Sequence, residues 1–517
     1  MSDAGGAIAA ANPRSGRILS RLAVVVSLLW IGLAIAIPFL RLWYPFEVEW
    51  MGGAFADHVA RVLDGKPIYV EPSPDFVPYL YTPLYMYLSA GMSLLVGEGM
   101  QALRLVSILA SLVNVALLFA LVRGRTRSTV AAAVACATWS GCYFLVESWY
   151  DAERVDSTFL AFVIGAVLTL DRGRSHRARI LAGLLMVAAY MTKQTALLLV
   201  PPLWLFATVA HARSWRDWLR HADFLVAFAL PWFALTAWMD HVTDGWFSFY
   251  TWRLPREHQY VLAPFWKFWL IDSHTMWPAI CASAWYFLRG PLLAGARATF
   301  ADAALCLGLL GAGLASRMHV GGAVNVLMPT WFGFALFTGF AWQRTTLLPR
   351  EPERVLVRLL ILLQLIGFAF KFRNSDQPRE AGLLDVGEYL PTEADARAGH
   401  RLVELLRKAD GDVLVPFHGF LPRMAGKRGG AHAMALIDIR GEGLADMQKR
   451  LMDGFWSSAR DRRADLVVLD ENLEGMGQLI WPGYVSEGRL VRVADFHTFM
   501  PVVGLKTRPI MLFRRAK

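Results

Sequence analysis

Charge is scarce in this sequence. Asp, Glu, Lys and Arg together make up 18% of its 517 residues, against about a quarter in an ordinary soluble domain. With 56% hydrophobic residues and a mean hydropathy of +0.39, an ordinary water-soluble surface does not fit, and a polytopic membrane protein does. Cysteine is scarce too. Cys136, Cys142, Cys281 and Cys306 all sit in apolar runs without ligand-like spacing, so neither a disulfide framework nor a zinc site is expected. Internal repeats and low-complexity segments do not stand out, and the double glycine in "HVGGAVN" lacks the strand, helix and spacing of a phosphate loop. The net charge of +10 does not point to nucleic acid, because Lys and Arg cluster in short connections between apolar runs, where membrane topology accounts for them.

Long apolar runs are what the sequence has in abundance. The first, "LAVVVSLLWIGLAIAIPFL" at 23–41, is long enough to span hydrocarbon and too long for a signal-peptide core, so it reads as a retained helix. Others follow at about 79–97, 104–122, 129–148, 158–170, 180–192, 195–211, 223–239, 266–288, 298–315, 324–342 and 355–371, giving about 11–12 hydrophobic segments. The connections "RGRTRS", "DRGRSHRAR", "RSWRDWLR", "RGPLLAGARA" and "QRTTLLPREPER" are rich in Arg and are expected in the cytoplasm, with the basic tail 1–21. The remaining connections then face outward, including the long loop 42–78.

One inconsistency follows. Two runs separate the outward loop 42–78 from the cytoplasmic "RGRTRS", where an odd number is required. Either 79–97 stays on the outer side as a re-entrant or interfacial element, the reading preferred here, or the charge rule fails at "RGRTRS". Beyond the membrane module 22–371, residues 372–517 change character. "TEADARAGHRLVELLRKADG" has helical periodicity, "DVLVPFHG" and "ADLVVLDEN" read as buried strands, and "RPIMLFRR" as a last edge strand. The fold class expected is a polytopic α-helical membrane protein with a C-terminal soluble α/β domain outside the membrane.

Carboxylates at a membrane face are costly unless they line water or meet cations, which makes "YPFEVEWMGG" a functional candidate. Glu47 and Glu49 point the same way along a strand, or bracket the N-terminus of the helix in "WMGGAFADHVARVLDG". That helix is amphipathic, with Phe55, Val59, Val62 and Leu63 on one face and Asp57, His58 and Arg61 elsewhere, and is expected along the outer interface. The structural alternative for the two acids is interfacial solvation or an ion pair to Arg41. On the same side fall Asp151, Glu153, Arg154 and Asp156 of "ESWYDAERVDS", Lys193 of "YMTKQT", Arg256 and His258 of "YTWRLPREHQY", and Arg317 of "SRMHVGGAVN". Cations beside rings suit a lipid-linked phosphate, since guanidinium pairs with phosphate oxygens and rings pack on sugar or isoprenoid. For any one of these cations taken alone, a surface charge or a snorkelling side chain is the better reading. Lys193 is the exception, because an unpaired charge within "AAYMTKQTALLLVPP" costs a few kcal/mol.

Taken in order, "EVEWMGG", "HVARVLDGKPIYVEPS", "FVPYLYTPLYMYL", "RLVSILASLVNVALLFALV", "YDAERVDSTFLAF", "AAYMTKQTALLLVPP", "YTWRLPREHQ" and "SRMHVGGAVNVLMP" resemble integral-membrane glycosyltransferases of the GT-C superfold, of the bacterial type that uses polyprenyl-phosphate sugars. The resemblance covers about residues 20–371. It implies a catalytic base in the first outward loop, at Glu49 or its neighbour Glu47, and a second acidic loop at Asp151 and Asp156. Two departures stand out. Many relatives carry an Asp, or an acid followed directly by Gly, where this chain has Glu-Val-Glu-Trp-Met-Gly-Gly. Their His before the Pro that opens the next segment is here Thr82 before Pro83, with the hydroxyls of Tyr79 and Tyr81 nearby to substitute.

The resemblance implies transfer of a sugar from a polyprenyl-phosphate donor to a lipid, glycan or protein acceptor, with inversion, in the bacterial cytoplasmic (inner) membrane. Glu49 (or Glu47) takes the acceptor proton, and Lys193, Arg256, His258 and Arg317 hold the donor phosphate. Asp151, Arg154, Asp156 and Tyr81 orient acceptor or base. A divalent cation, Mg or Mn, is compatible with the acids, but no ligand set is legible from spacing. The competing class is a transporter or lipid flippase, which calls for two related halves and charges at the midplane. Neither is visible. A receptor or scaffold is the third class, and twelve segments are more than an anchor needs.

Overall fold

The computed structural model describes residues 13–173, 175–370, 372–373, 380–381, 383–461, 464–470, 483–490, 501–505 and 507–516. Residues 1–12 of the basic tail, most of "RNSDQPREAG" and the last two residues of "ADLVVLDEN" lie outside them.

Each of the twelve apolar runs lies on helix, as backbone groups that meet no water must pair within their own segment. The helices are α1 (Pro13–Arg41), α2 (Gly52–Leu63), α3 (Leu84–Val96), α4 (Met100–Thr126), α5 (Thr129–Leu145), α6 (Asp156–Arg172), α7 (His176–Thr192), α8 (Ala196–His211), α9 (Trp215–Arg220), α10 (Ala222–Val242), α11 (Trp277–Ala294), α12 (Ala296–Met318), α13 (Met328–Arg344) and α14 (Glu351–Gly367). Five helical stretches are long and apolar enough to cross a membrane by length and composition: Gly16–Arg41, Met100–Thr126, Trp215–Val242, Ala296–Met318 and Val324–Leu347. Several others have 17 residues. At about 1.5 Å per residue that is about 25 Å, at the short end of what spans hydrocarbon. The run at 266–288 is not one helix: short π and 3-10 turns precede α11, which starts where Pro278 fits a first helical turn.

The Arg-rich connections gather at one end of the bundle. Arg125 pairs with Asp171 at 2.5 Å and Asp302 at 2.6 Å, Arg179 with Asp223 at 2.7 Å, and Arg289 with Glu353 at 2.8 Å, while Arg297 donates to Val209 O at 2.6 Å. The acidic loops gather at the other end. There α3 removes the inconsistency in the crossing count. At its start Thr82 donates to Tyr190 O, 2.6 Å away at the far end of α7, and just past its end Glu98 pairs with Arg423 of the C-terminal segment at 2.7 Å. Both flanks are on the acidic side, so this 13-residue helix returns to the side it left. Its Leu94 and Leu95 are exposed as apolar surface. The helices running from end to end are then α1, α4 to α8 and α10 to α14, an odd number.

The C-terminal segment forms a four-stranded mixed sheet of β1 (Val413–Leu414), β2 (Leu466–Asp470), β3 (Tyr484–Arg489) and β4 (Pro509–Arg515), in the order β1-β2-β4-β3. β1 and β2 are parallel and the other pairs antiparallel. "RPIMLFRR" is therefore an inner strand rather than the expected edge strand, because "YVSEGR" adds outside it. Helix α15 (Glu393–Arg407) begins with a capping box between Thr392 and Asp395 and lays Ala398, Leu402 and Leu406 on the sheet residues Val413, Leu466 and Val468. Phe46, from the loop after α1, belongs to that same core, and a Cβ at Gly399 would strike its ring.

The amphipathic helix α2 is not left on an open interface. The short helix α16 (Phe420–Met424) covers it, and His58, read from the sequence as part of the polar face, is 1% exposed. Its ring accepts from Tyr79 N at 2.9 Å and bonds Ala54 O at 2.6 Å, which is how a buried imidazole is tolerated.

Candidate active site

The ten residues between α1 and α2 carry the two candidate acids, and both neighbouring units hold them. From the bundle, Arg104 of α4 donates to the carbonyl oxygens of Arg41, Leu42, Tyr44 and Phe46, and its Nε meets Glu153 Oε1 at 2.5 Å. From the C-terminal segment, Val503 N donates to Val48 O at 2.8 Å. The chain then turns into α2 at Gly52 and Gly53, and the glycines answer to the acids. A Cβ at Gly53 would collide with Glu47 Oε1 and stand 3.1 Å from Phe420 N, and one at Gly52 would stand 3.0 Å from Glu153 Oε2. Glu47, Glu49 and Glu153 thus ring the positive end of α2.

Glu49 is 0% exposed. Its Oε2 accepts from Met51 N at 3.1 Å and lies 3.7 Å from Arg154 Nη1, while Oε1 has no hydrogen-bond partner among the described residues. Burial, opposed by Arg154, pushes its pKa up to about 8. Arg154 donates to Tyr81 Oη at 2.6 Å and to Met51 Sδ at 2.8 Å, and its guanidinium lies against the rings of Phe55, Tyr81 and Trp149 at 4.8 to 5.3 Å. A carboxylate and a cation are held almost in contact inside an aromatic box, each with capacity to spare.

A second pair lies alongside. Lys193, at the end of α7, is 2.5 Å from Asp156 Oδ1 at the start of α6, and Asn325 donates to Asp156 Oδ2 at 3.0 Å. Burial raises the pKa of Asp438 of the C-terminal segment to about 7, opposed first by Arg440 and then by Arg154. The Asp438 carbonyl meets His258 Nε2 at 2.7 Å, and burial lowers the pKa of that imidazole. The segments carrying His258 and Arg317 are joined by a β-bridge at Tyr260 and His319.

Three sequence expectations need correcting. Asp151 is turned away from Glu49: both its oxygens are taken by Arg41, at 2.7 and 2.8 Å, and one also by Tyr143 Oη at 3.0 Å, so it fixes the end of α1. Arg41 is thereby withdrawn from Glu47 and Glu49. Arg256 is exposed and lies over Trp252, because Pro255 starts a helical turn that buries Leu254 and turns Arg256 outward. Arg317 is buried but engaged by Asp272 at 3.4 Å and by Gly322 O. Glu47, Glu49, Arg154, Tyr81, Asp156, Lys193 and His258 do converge.

Several members went unnoticed in the sequence. Arg104, a lone cation within the run 104–122, carried a usable signal, since intramembrane charge is rarely idle. His418 and Asp470, which meet Glu47, sit at the ends of two short strands and carry none beyond their type. Among the described residues no three His, Cys, Asp or Glu are grouped to hold a metal ion.

Residues 78–238 match the family profile described as dolichyl-phosphate-mannose-protein mannosyltransferase. No curated protein matches the chain. Among solved structures, the chain is similar to ArnT from Cupriavidus metallidurans bound to undecaprenyl phosphate, with a TM-score of 0.61, 13% identity, and 95% of this chain and 98% of that one covered. It is also similar to the archaeal oligosaccharyltransferase AglB from Archaeoglobus fulgidus, in complex with an inhibitory peptide and a dolichol-phosphate, with a TM-score of 0.52, 11% identity and coverages of 88% and 69%.

Proposed function

We propose, from a chain that has the GT-C fold of integral-membrane glycosyltransferases, that it transfers a sugar from a polyprenyl-phosphate donor to a lipid, glycan or protein acceptor. The site is the end of the bundle that carries Glu49, taken as the outer face of a bacterial cytoplasmic membrane, with the C-terminal segment on that same side. The single observation carrying this reading is Glu49 itself, a buried acid with one oxygen unpartnered and a guanidinium 3.7 Å from the other.

Glu49 accepts the proton of the acceptor hydroxyl as its oxygen bonds the anomeric carbon. The bond from that carbon to the phosphate oxygen breaks, its electron pair leaves with polyprenyl phosphate, and the configuration inverts. Arg154 and Lys193 offset the charge that builds on the phosphate, at a site withdrawn from bulk water where such terms are largest. Lys193 is matched by Asp156 before donor arrives, and Tyr81 and Asp156 orient the groups around Arg154. No step is routed through a metal ion.

The test is transfer of radiolabelled sugar from a polyprenyl-phosphate donor in membranes containing the protein. Wild type is expected to transfer, and Glu49→Gln to bind donor normally with transfer reduced by about 100-fold or more. Full activity in Glu49→Gln rejects it as the base and moves the role to Glu47.

A further inference from the structure

Glu47 has a different environment from Glu49. Its Oε2 is 2.5 Å from Nδ1 of His418, in the turn after β1, and Nε2 of the same ring is 3.1 Å from Asp470 Oδ2 at the end of β2. All three side chains are buried, with residue exposures of 5%, 1% and 0%. An imidazole between two ionised carboxylates satisfies both only when both ring nitrogens carry hydrogen, which favours the cation at His418, while burial raises the pKa of Glu47 against the lowering effect of that cation. This ion triad joins the C-terminal sheet to the loop that carries Glu49 two residues later. The loop is fastened to the same segment at further points, where Phe46 enters the sheet's core, where Trp50 packs on Phe417 and where Val503 N donates to Val48 O.

We propose that His418 and Asp470 are positioning residues for the acidic loop, so that the C-terminal segment is a working part of the active site and its ion triad sets where Glu49 stands. The catalytic part of this inference rests on the proposed glycosyl transfer, while the positioning part does not. Burial works against the charged imidazole, but Asp470 and Glu47 outweigh it and raise its pKa to about 10. Other charged or titratable groups around the triad are Glu49, Glu153, Asp57, Tyr44 and Tyr79, which interact with Glu47, and His432, near His418. The clasp is therefore closed at neutral pH and opens as pH rises through about 10. Removing the Asp470 charge lowers that opening point.

The experiment compares full-length wild type with His418→Ala, Asp470→Asn and His418→Lys by amide hydrogen exchange over residues 42–51, corrected for intrinsic rates, alongside turnover and polyprenyl-phosphate binding. In His418→Ala, exchange in that loop is expected to rise by about 10-fold or more and turnover to fall by about 10-fold or more, with donor affinity unchanged. Asp470→Asn shifts the onset of alkaline loosening to lower pH, and His418→Lys, which restores a cation between the carboxylates, recovers protection. If His418→Ala fails to fold, the nearly isosteric Asp470→Asn carries the same comparison. Unchanged exchange and turnover in folded variants overturn the proposal. Loosening of the loop in a protein whose wild type moves no sugar rejects the glycosyl-transfer reading alone and leaves the positioning role supported.

Discussion

At Glu49, one carboxylate oxygen is tied to Met51 N and the other is unpartnered among the described residues, in a site closed to bulk water. That geometry makes a proton acceptor whose strength depends on keeping solvent out. Because burial lifts its pKa to about 8, Glu49 is mostly protonated at neutral pH in the empty site and becomes competent as pH rises. Initial-rate measurements across pH 6 to 9.5 are expected to show transfer at low donor rising through about 8 and lost as pH falls below it. A flat profile over that range assigns the limiting titration to another group. Replacing Arg154 by a neutral residue is expected to move the rise to higher pH, since its cation is what opposes the burial of Glu49.

The decisive element is α3. Its composition is that of a span, yet Thr82 at one flank and Glu98 at the other are both fixed on the acidic side, the second by Arg423, which also bonds Asp64. The gain is additional aromatic packing around Arg154: Tyr79 and Tyr81 precede the helix, and Tyr85 within it packs on Phe55 at 5.8 Å. Single cysteines at Glu98 and Lys66 are expected to react with an impermeant thiol reagent from the same side of the membrane, and one at Arg127 from the opposite side. Labelling of Glu98→Cys only from the side opposite Lys66, with Arg127→Cys then on the Lys66 side, would show α3 crossing after all, and would reverse every later helix.

Over the whole molecule, charge is sorted by end. Arg-rich connections and their partly buried ion pairs occupy one end. At the other end the pairs are buried and matched almost one to one: Arg41 with Asp151, Arg104 with Glu153, Arg154 with Glu49, Lys193 with Asp156 and His418 with Glu47 and Asp470. Removing one partner of such a pair strands the other, at a cost of about 3–5 kcal/mol. If the sorting reflects membrane topology, a reporter fused after residue 371 gives an outside signal. A cytoplasmic signal there would invert the assignment of every loop and remove the outward site.

The sequence by itself determined the helical membrane fold, because hydrophobic runs and Arg-rich connections are local properties that a bilayer reads directly. It also marked Glu49, Arg154, Asp156 and Lys193, since acids and cations beside apolar runs are costly unless they pair. Which charge meets which was a tertiary decision. Nothing local to "YDAERVDS" says that Asp151 turns to Arg41, Glu153 to Arg104 and Arg154 to Glu49, because three neighbouring residues leave a loop in three directions that packing alone selects. Nor does "VPFHG" announce that His418 reaches Glu47 across 371 positions. Pairing at such separations depends on how the sheet docks on the loop after α1, and that docking is fixed by surfaces that exist only once both units have folded.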